Sequence, residues 1–314
     1  MSGYRGDTYY GRPALKPSHY GWLVVAYLVT GGLAGSAAII GALGGDRPAG
    51  RAARVIAFAA VAVAPLPLVK DLHVPRRWYN MLRIARPTSP MSIGSWTLAA
   101  SGGLAALQLL ADLLGARSIR RVLALPAAGL GAVLSIYTGT LLAAAATPLW
   151  SSVPRLLPVL FGSSAMSTAA AAVELASGAD LAELAIAATA AEAISLEAAA
   201  SAWREARVEA PLDEPRLAAA HRAARLLAIA SIGLNVLAVA TRSKAPRDAA
   251  AVAAIGAGIA MRALLVFGGQ RSALRPTDYF GMKTAEELVR PQSPTSVAMR
   301  SRPSTFPRVP RNGW

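Results

Sequence analysis

Six side chains that can ionise or share a hydroxyl proton fall within long apolar stretches of this chain. They are Tyr27, Tyr137, Glu174, Glu192, Glu197 and Arg262. Ionisable groups are costly inside hydrocarbon, so they usually face the interior of a helix bundle, where they pair or transfer protons. Glu192 and Glu197 lie on one predicted helix, offset from each other by more than a quarter turn. The pattern indicates either proton transfer or structural pairing with Arg262 or a loop arginine.

A second polar group lies between residues 70 and 96. This segment holds Asp71 and His73, then a basic and aromatic run, and it passes through two proline-bounded turns before Trp96. Arginine, tryptophan and tyrosine are common where helices meet the membrane surface, so an interface loop explains most of the run. It explains Asp71 and the two turns less well. Asp71, His73 and Trp96 are therefore candidate binding residues.

Histidine and cysteine bear on metal and haem chemistry. The three histidines, His19, His73 and His221, lie at predicted helix ends or in loops, and none faces a partner inside a predicted helix. We therefore expect neither a bis-histidine haem nor a transition-metal site. Cysteine is absent from the sequence, so we expect no disulfide, thiolate zinc site or protein-bound iron–sulfur cluster in this chain.

The elements that position these residues are predicted from composition. Hydrophobic residues make up 54% of the chain and charged residues 16%, and the mean hydropathy is +0.42. These values leave too few polar residues to cover a soluble domain. The net charge of +15 comes from loops and tails at membrane boundaries, so we expect no nucleic-acid partner. The fold class predicted is an all-α integral membrane bundle.

About eight transmembrane helices are predicted. The apolar stretches cover residues 20–43, 55–69, 93–114, 122–146, 156–175, 181–202, 226–240 and 249–267. The expected organisation is an amino-terminal segment over 1–19, a helix bundle over 20–269 and an extended Pro/Arg-rich tail over 270–314. Ala and Gly dominate the stretches, which favours helices packed closely through small residues such as Gly31, Gly32 and Gly35.

An even number of spans puts both termini on one membrane face, which we call the N side. Tyr27 lies near the N-side start of the first span, Asp71 and His73 follow the N-side end of the second, and Tyr137 lies in the N-side half of the fourth. These polar groups converge on one face, as a site for an amphipathic small molecule requires. The distribution of Lys and Arg gives no clear absolute orientation.

The chain resembles a known family through short motifs that occur in order over about residues 10 to 280. They are Gly31-Gly32-Leu33-Ala34-Gly35, Asp71-Leu72, Pro75, Asn80-Met81-Leu82, Pro87, Ser89-Pro90-Met91-Ser92, Gly94-Ser95-Trp96, Tyr137-Thr138-Gly139, Pro148-Leu149-Trp150, Leu157-Pro158, Phe161, Ser164-Ala165, Arg262, Gly268-Gly269 and Ser272-Ala273. This order resembles the NrfD/polysulfide reductase membrane subunits, the PsrC-like quinone-reactive anchors.

The resemblance implies a membrane anchor of a respiratory oxidoreductase in a prokaryotic cell membrane. Such an anchor exchanges electrons between membrane quinone (menaquinone or ubiquinone, as bound substrate) and an iron–sulfur, ferredoxin-like subunit, which serves a molybdopterin catalytic subunit. The chain would not be catalytic alone. Its partners would dock on the N side, against the 70–92 loop.

The resemblance also suggests roles for particular residues. Tyr137 matches a family tyrosine at the quinone headgroup. Val24 and Tyr27 stand where polysulfide reductase has an asparagine and a histidine, which leaves Tyr27 as a substitute donor. Asp71 would accept a proton or pair with a loop arginine. Glu192 and Glu197 are candidates for proton transfer, as are Glu174 and Arg262.

Two other interpretations use the same residues. A proton-coupled secondary transporter would also need buried carboxylates and small-residue packing, although the two halves of the sequence show no clear internal repeat. A purely structural anchor would differ from the first interpretation only in lacking quinone binding.

Overall fold

The structure, a computed structural model, describes residues 15–16, 18–72, 74–83, 85–86 and 88–281. Within this part of the chain every secondary-structure element is helical, and eight helices are long and apolar enough to cross a membrane. The predicted all-α membrane bundle is thereby confirmed. His73 and most of the expected tail lie outside the described residues.

The eight membrane helices are numbered here in chain order. They are α1 (Trp22–Gly44), α2 (Pro48–Lys70), α3 (Pro90–Leu113), α4 (Arg117–Ala143), α5 (Leu156–Ser177), α6 (Ala182–Ala206), α7 (Pro215–Thr241) and α8 (Lys244–Ala273). A break at Ala64 divides α2 into Pro48–Val63 and Pro65–Lys70. Short helices or turns connect the spans on the N side, at Pro75–Arg77, Asn80–Arg83, Pro148–Ser151 and Ala210–Asp213, and Pro276–Gly281 follows α8.

The helix boundaries follow local sequence signals. Pro48, Pro90 and Pro215 occupy the first position of α2, α3 and α7, where proline fits because the first turn needs no backbone N–H donor. Gly178 ends α5 in the left-handed conformation, with φ of 64°. Helix α8 continues to Ala273, beyond the boundary expected at residue 269.

Helix α1 lies at the centre of the bundle and packs on α2, α4, α5 and α8. Its crossing with α4 is very close, because a Cβ atom added to Gly35 would overlap the carbonyl oxygen of Gly131. Next to this crossing, the hydroxyls of Ser36 and Ser135 are hydrogen-bonded at 2.9 Å. The predicted close backbone approach is confirmed at Gly35, whereas Gly32 faces the side chains of Ala165 and Arg262 and Gly31 faces no other helix within 4 Å.

On the N side, the Pro148–Ser151 turn is hydrogen-bonded to both α6 and α8. The Trp150 Nε1–H donates to the carbonyl oxygen of Leu265 at 2.8 Å, and the Trp203 Nε1–H donates to that of Leu149 at 2.9 Å. A side chain on Gly269 would overlap the Trp150 ring. Motifs quoted for the family resemblance therefore form a packed junction of α6, α8 and this turn.

On the opposite face, an ion-pair network joins the first four helices. Arg54 of α2 is buried and donates to both carboxylate oxygens of Asp112 in α3, at 2.5 and 3.1 Å. Arg120 of α4 donates to Asp112 at 2.9 Å and also pairs with Asp46 in the α1–α2 turn. The charges of Arg54 and Arg120 are therefore paired with carboxylates within the fold.

Candidate functional site

A cavity opens between the N-side halves of α1, α2, α3 and α4. Its volume is about 280 Å³. The lining is mostly apolar, with Tyr27, Ser95 and Tyr137 as the side chains that carry hydroxyls. The lining residues are Tyr27, Val61, Pro65, Leu68, Val69, Trp78, Met81, Leu82, Met91, Ser95, Leu98, Ala99, Gly102, Tyr137 and Leu141. Such a concave apolar site with a few placed polar groups is typical of small-molecule binding.

Tyr137 is fixed at the contact between α4 and α3. Its hydroxyl donates to the carbonyl oxygen of Pro90, in the first turn of α3, at 2.7 Å. The end of its ring lies against Gly94, where an added Cβ atom would overlap the ring and the hydroxyl. Gly94 therefore provides the space that Tyr137 occupies, one turn after its hydrogen-bond acceptor.

Tyr27 reaches the same cavity from α1, and its residue is only 4% exposed. Within the part of the chain that the structure describes, no hydrogen bond to its hydroxyl is found, in contrast to Tyr137. Tyr137 lines the same cavity from α4. The structure therefore brings together the two tyrosines that the sequence singled out.

The other N-side candidates lie around the cavity rather than in it. Asp71 is exposed at the end of α2, and Trp96 is 45% exposed on the outer side of α3. Neither lines the cavity. Asp71 interacts instead with Tyr20, which does not line the cavity: burial raises the pKa of the Tyr20 hydroxyl, and the Asp71 carboxylate raises it further. His73 falls outside the described residues.

The 70–92 segment covers the cavity with apolar side chains. Trp78, Met81 and Leu82 form part of the wall from the N side. Sequence reasoning singled out the polar residues of this segment and missed these, as well as Met91, Ser95 and their neighbours on α3. A signal was present: Met91, Ser95, Leu98 and Gly102 recur at helical spacing and so share one face of α3.

A second buried polar region surrounds Arg262 in the other half of the bundle. Arg262 is 1% exposed and lies over the Phe161 ring, with 5.6 Å between the guanidinium carbon and the ring centroid. Its Nε–H donates to the carbonyl of Leu28 at 3.2 Å. Its Nη1 donates to Ser164 Oγ at 2.8 Å and to the carbonyl of Gly258 at 3.0 Å. This guanidinium joins α1, α5 and α8.

Glu192 of α6 belongs to the same region and is 2% exposed. Its carboxylate is hydrogen-bonded to Ser164 and Ser167, and Ser164 also contacts Arg262, so this hydroxyl bridges the two charged groups. One atom of each of these two side chains has no hydrogen-bond partner among the described residues: Oε2 of Glu192 and Nη2 of Arg262. The sequence analysis named pairing with Arg262 as one role for these carboxylates. In the structure, Glu192 and Arg262 are connected through the Ser164 hydroxyl.

The remaining two carboxylates lie apart from this region. Glu174 is buried at the end of α5, where Oε1 accepts from the backbone N–H of Leu181 at 3.0 Å, just before α6. Glu197 has a side chain that is 46% exposed, and it pairs with Arg225 of α7 at 2.5 Å. The structure therefore separates Glu197 from Glu192, as their offset around α6 requires.

Metal ligands are not clustered in the part of the chain that the structure describes. No group of three or more His, Cys, Asp or Glu side chains there could hold a metal ion.

The eight membrane-crossing helices of the described residues, four of which line an apolar cavity near one face, define the class of this protein as a multi-pass helical membrane protein. The chain belongs to the NrfD/polysulfide reductase family, since a sequence model of that family, described as polysulfide reductase, matches residues 7–275. A search of curated proteins gives no match. Family membership indicates a membrane subunit of an oxidoreductase complex.

Proposed function

We propose that this chain is the quinone-interacting membrane subunit of a respiratory oxidoreductase complex of the molybdopterin type. It would pass electrons between quinone or quinol and an iron–sulfur partner subunit, within a prokaryotic cell membrane. The observation that carries the proposal is the apolar cavity of about 280 Å³ that Tyr27 and Tyr137 line near the N-side face. Family membership supports the same role.

The two tyrosines suit different states of the ligand. A quinone carbonyl needs a hydrogen-bond donor, and the Tyr27 hydroxyl can donate because no described residue takes up its proton. The Tyr137 hydroxyl already donates to Pro90 and interacts with the backbone N–H of Gly94, so its remaining lone pair is what can accept from a quinol hydroxyl. Oxidation of a quinol releases two electrons and two protons, so both kinds of contact are needed in one cycle.

Electron transfer to or from the quinone requires a separate iron–sulfur subunit. Iron–sulfur clusters are held by cysteine, and this chain has no cysteine. The N-side surface beside the cavity suits docking of an iron–sulfur subunit. Arg76 and Arg77 are exposed there, next to Trp78, whose side chain reaches the cavity wall. A partner bound on this surface would bring a cluster close to the ring that donates or receives electrons.

Protons also need a route, and Glu192 with Arg262 is the buried pair best suited to it. Both side chains are buried, and each has an atom without a hydrogen-bond partner among the described residues. Glu174, buried nearer the opposite face, is a further candidate, whereas Glu197 is exposed and its charge is taken up by Arg225.

A mild-detergent purification of the tagged full-length chain from its native membrane tests the proposal. We expect an iron–sulfur subunit, molybdenum or tungsten, and bound quinone in the eluate. Tyr27→Phe is expected to lower the retained quinone about tenfold, the loss of one good hydrogen bond in an apolar site. Tyr137→Phe is expected to lower it as well, with some loss of stability.

An eluate without metal, partner or quinone would contradict the proposal and favour a proton-coupled transporter built on the same buried carboxylates. Partners without quinone would favour a purely structural anchor. The control is Tyr79→Phe, because Tyr79 is exposed on the same face and does not line the cavity.

A further inference from the structure

A small cavity lies where α1, α2, α3 and α4 meet, next to the cavity that Tyr27 and Tyr137 line on the N side (the N-side cavity). Its volume is about 10 Å³. Val61 lines both cavities, so they adjoin at this side chain. The walls of the small cavity are otherwise formed by alanine and glycine, except for Ser101 and Gln108 of α3. Two polar side chains therefore line an otherwise apolar space inside the bundle.

The hydroxyl of Ser101 is not hydrogen-bonded to its own helix. Several other serine hydroxyls of the bundle donate to the carbonyl oxygen four residues earlier, as Ser95 does to Met91 at 3.0 Å and Ser163 does to Val159 at 2.9 Å. Ser101 Oγ is buried and has no hydrogen-bond partner among the described residues. Because Ser101 lines the small cavity, its hydroxyl is placed to bond an occupant of that cavity.

Gln108 lines the same space from about two turns further along α3. It is 2% exposed, and its Nε2 atom has no hydrogen-bond partner in the part of the chain that the structure describes. Helical side chains lean toward the start of their helix, so the amide extends toward Ser101. The two Cα atoms are roughly 10 Å apart along the axis, at about 1.5 Å per residue, so the side chains need a bridging molecule. Buried amides are nearly always hydrogen-bonded, to protein or to ordered water, because an unpaired one is costly.

The size and the chemistry of the small cavity select its occupant. A volume of about 10 Å³ is the space of one water molecule and excludes a quinone or a lipid chain. The amide N–H requires an acceptor and the serine hydroxyl takes either role, which suits water because water both accepts and donates. A metal cation would find at most two side-chain oxygens here, fewer than calcium or magnesium sites provide. Water is therefore the occupant that satisfies both side chains.

We propose that the small cavity binds one water molecule, which accepts a hydrogen bond from Gln108 Nε2 and donates one to Ser101 Oγ. This site goes beyond the proposed function, since it does not depend on quinone binding. Asp112, of the ion-pair network near the opposite face, follows Gln108 by one turn on the same side of α3. The water therefore extends the line of polar groups on α3 from that network to Val61, at the wall of the N-side cavity.

Solid-state NMR of the full-length chain in lipid bilayers tests the proposal, with water itself as the probe. The sequence contains three glutamines, Gln108, Gln270 and Gln292, so nitrogen-15 labelling of the glutamine side-chain amide labels only these three groups. Gln108→Met removes one signal and thereby identifies it, and Gln108→Asn does the same if the methionine variant does not fold. The quantity measured is the transfer of magnetisation from water protons to the Gln108 amide.

We expect clear transfer from water to the Gln108 amide although this residue is only 2% exposed, because the bound water lies in direct contact with it. Ser101→Ala removes the second partner of the water and should lower the transfer about tenfold, as for the loss of one buried hydrogen bond. Ser163→Ala is the control and should leave the transfer unchanged, since Ser163 Oγ donates within its own helix. Absence of transfer in the unaltered protein would overturn the proposal, and so would a transfer that Ser101→Ala leaves unchanged.

Discussion

The N-side cavity and the Arg262 region are both polar sites inside one bundle, and they are built in opposite ways. The cavity keeps open space beside two tyrosines and has neutral walls. The Arg262 region fills its space with charged groups and hydroxyls: Arg262 is hydrogen-bonded to residues of α1 and α5, and Glu192 to residues of α5. Open space in a close-packed interior weakens packing, which is tolerated where a ligand fills it. Buried charge is tolerated only where hydrogen bonds satisfy it.

The largest effect is expected from Arg262→Leu. It removes hydrogen bonds to Leu28, Ser164 and Gly258 and leaves Glu192 as a buried acid without its cation. Breaking such a pair costs about 3–5 kcal/mol of the free energy of unfolding. Thermal unfolding in mild detergent would measure it. Arg225→Leu is the control, because the Arg225 side chain is half exposed. A stable Arg262→Leu protein that has lost quinone binding would place Arg262 with the cavity instead.

Gly94→Ala is expected to have the second largest effect. It changes the cavity and leaves the Arg262 region unaltered. The added methyl group would overlap the Tyr137 ring, so the ring must move and its hydrogen bond to Pro90 is strained. We expect a stability loss of about 1–3 kcal/mol, as for an overpacked core. Quinone retained on purification should fall about tenfold, as its headgroup contact moves.

The matched substitution for that experiment is Gly129→Ala in α4, where an added Cβ atom meets nothing within 4 Å. It should be neutral or stabilising by up to about 1 kcal/mol, because alanine favours a helix over glycine. Unchanged quinone retention in Gly94→Ala would show that the position of Tyr137 does not matter to the ligand.

Glu192→Gln tests whether the Arg262 region transfers protons during quinol oxidation in the N-side cavity. The amide keeps the shape of the side chain and one acceptor oxygen, whereas its NH2 group donates hydrogen bonds and it cannot release a proton. We expect unchanged quinone binding and a turnover of quinol by the whole complex that falls about a hundredfold, the lower range for loss of a proton-transfer group. Stopped-flow oxidation of quinol measures turnover, and fluorescence quenching measures binding. Full turnover would assign Glu192 to packing alone.

The smallest effect is expected from Glu197→Gln. The pair with Arg225 lies at the surface of the bundle, and exposed ion pairs contribute about 0–1 kcal/mol. Thermal unfolding and quinol turnover should both stay close to those of the unaltered protein. A loss of turnover equal to that of Glu192→Gln would mean that protons travel along α6 past both carboxylates.

Much of the fold could be predicted because the signals for it are local. A run of apolar residues long enough to cross hydrocarbon must be helical there, since the helix satisfies its own backbone hydrogen bonds. The eight predicted stretches therefore correspond to α1–α8, although α7 begins at Pro215, well before the predicted residue 226. Tyr27 and Tyr137 were assigned to one face by counting spans, and both line the cavity.

The contacts of the Tyr137 hydroxyl could not be predicted from local sequence signals. Its acceptor, Pro90, lies on a different helix, and its ring fits only because Gly94 has no side chain. Glu192 and Glu197 show the same limit, because the sequence gives both as acids in one apolar stretch. Only the packing of α6 against α5 buries Glu192, while Glu197 meets Arg225 of α7.

By itself the sequence determined that this protein spans the membrane about eight times, that its glycines bring α1 close to its neighbours, and that its motifs follow the order of one family. Tertiary structure alone decided which polar groups meet. Arg262 takes its acceptor from Leu28, 234 residues away in the chain. Helix formation depends on neighbours within a few positions, whereas a cavity or a buried charge depends on the side chains that packing brings from distant helices.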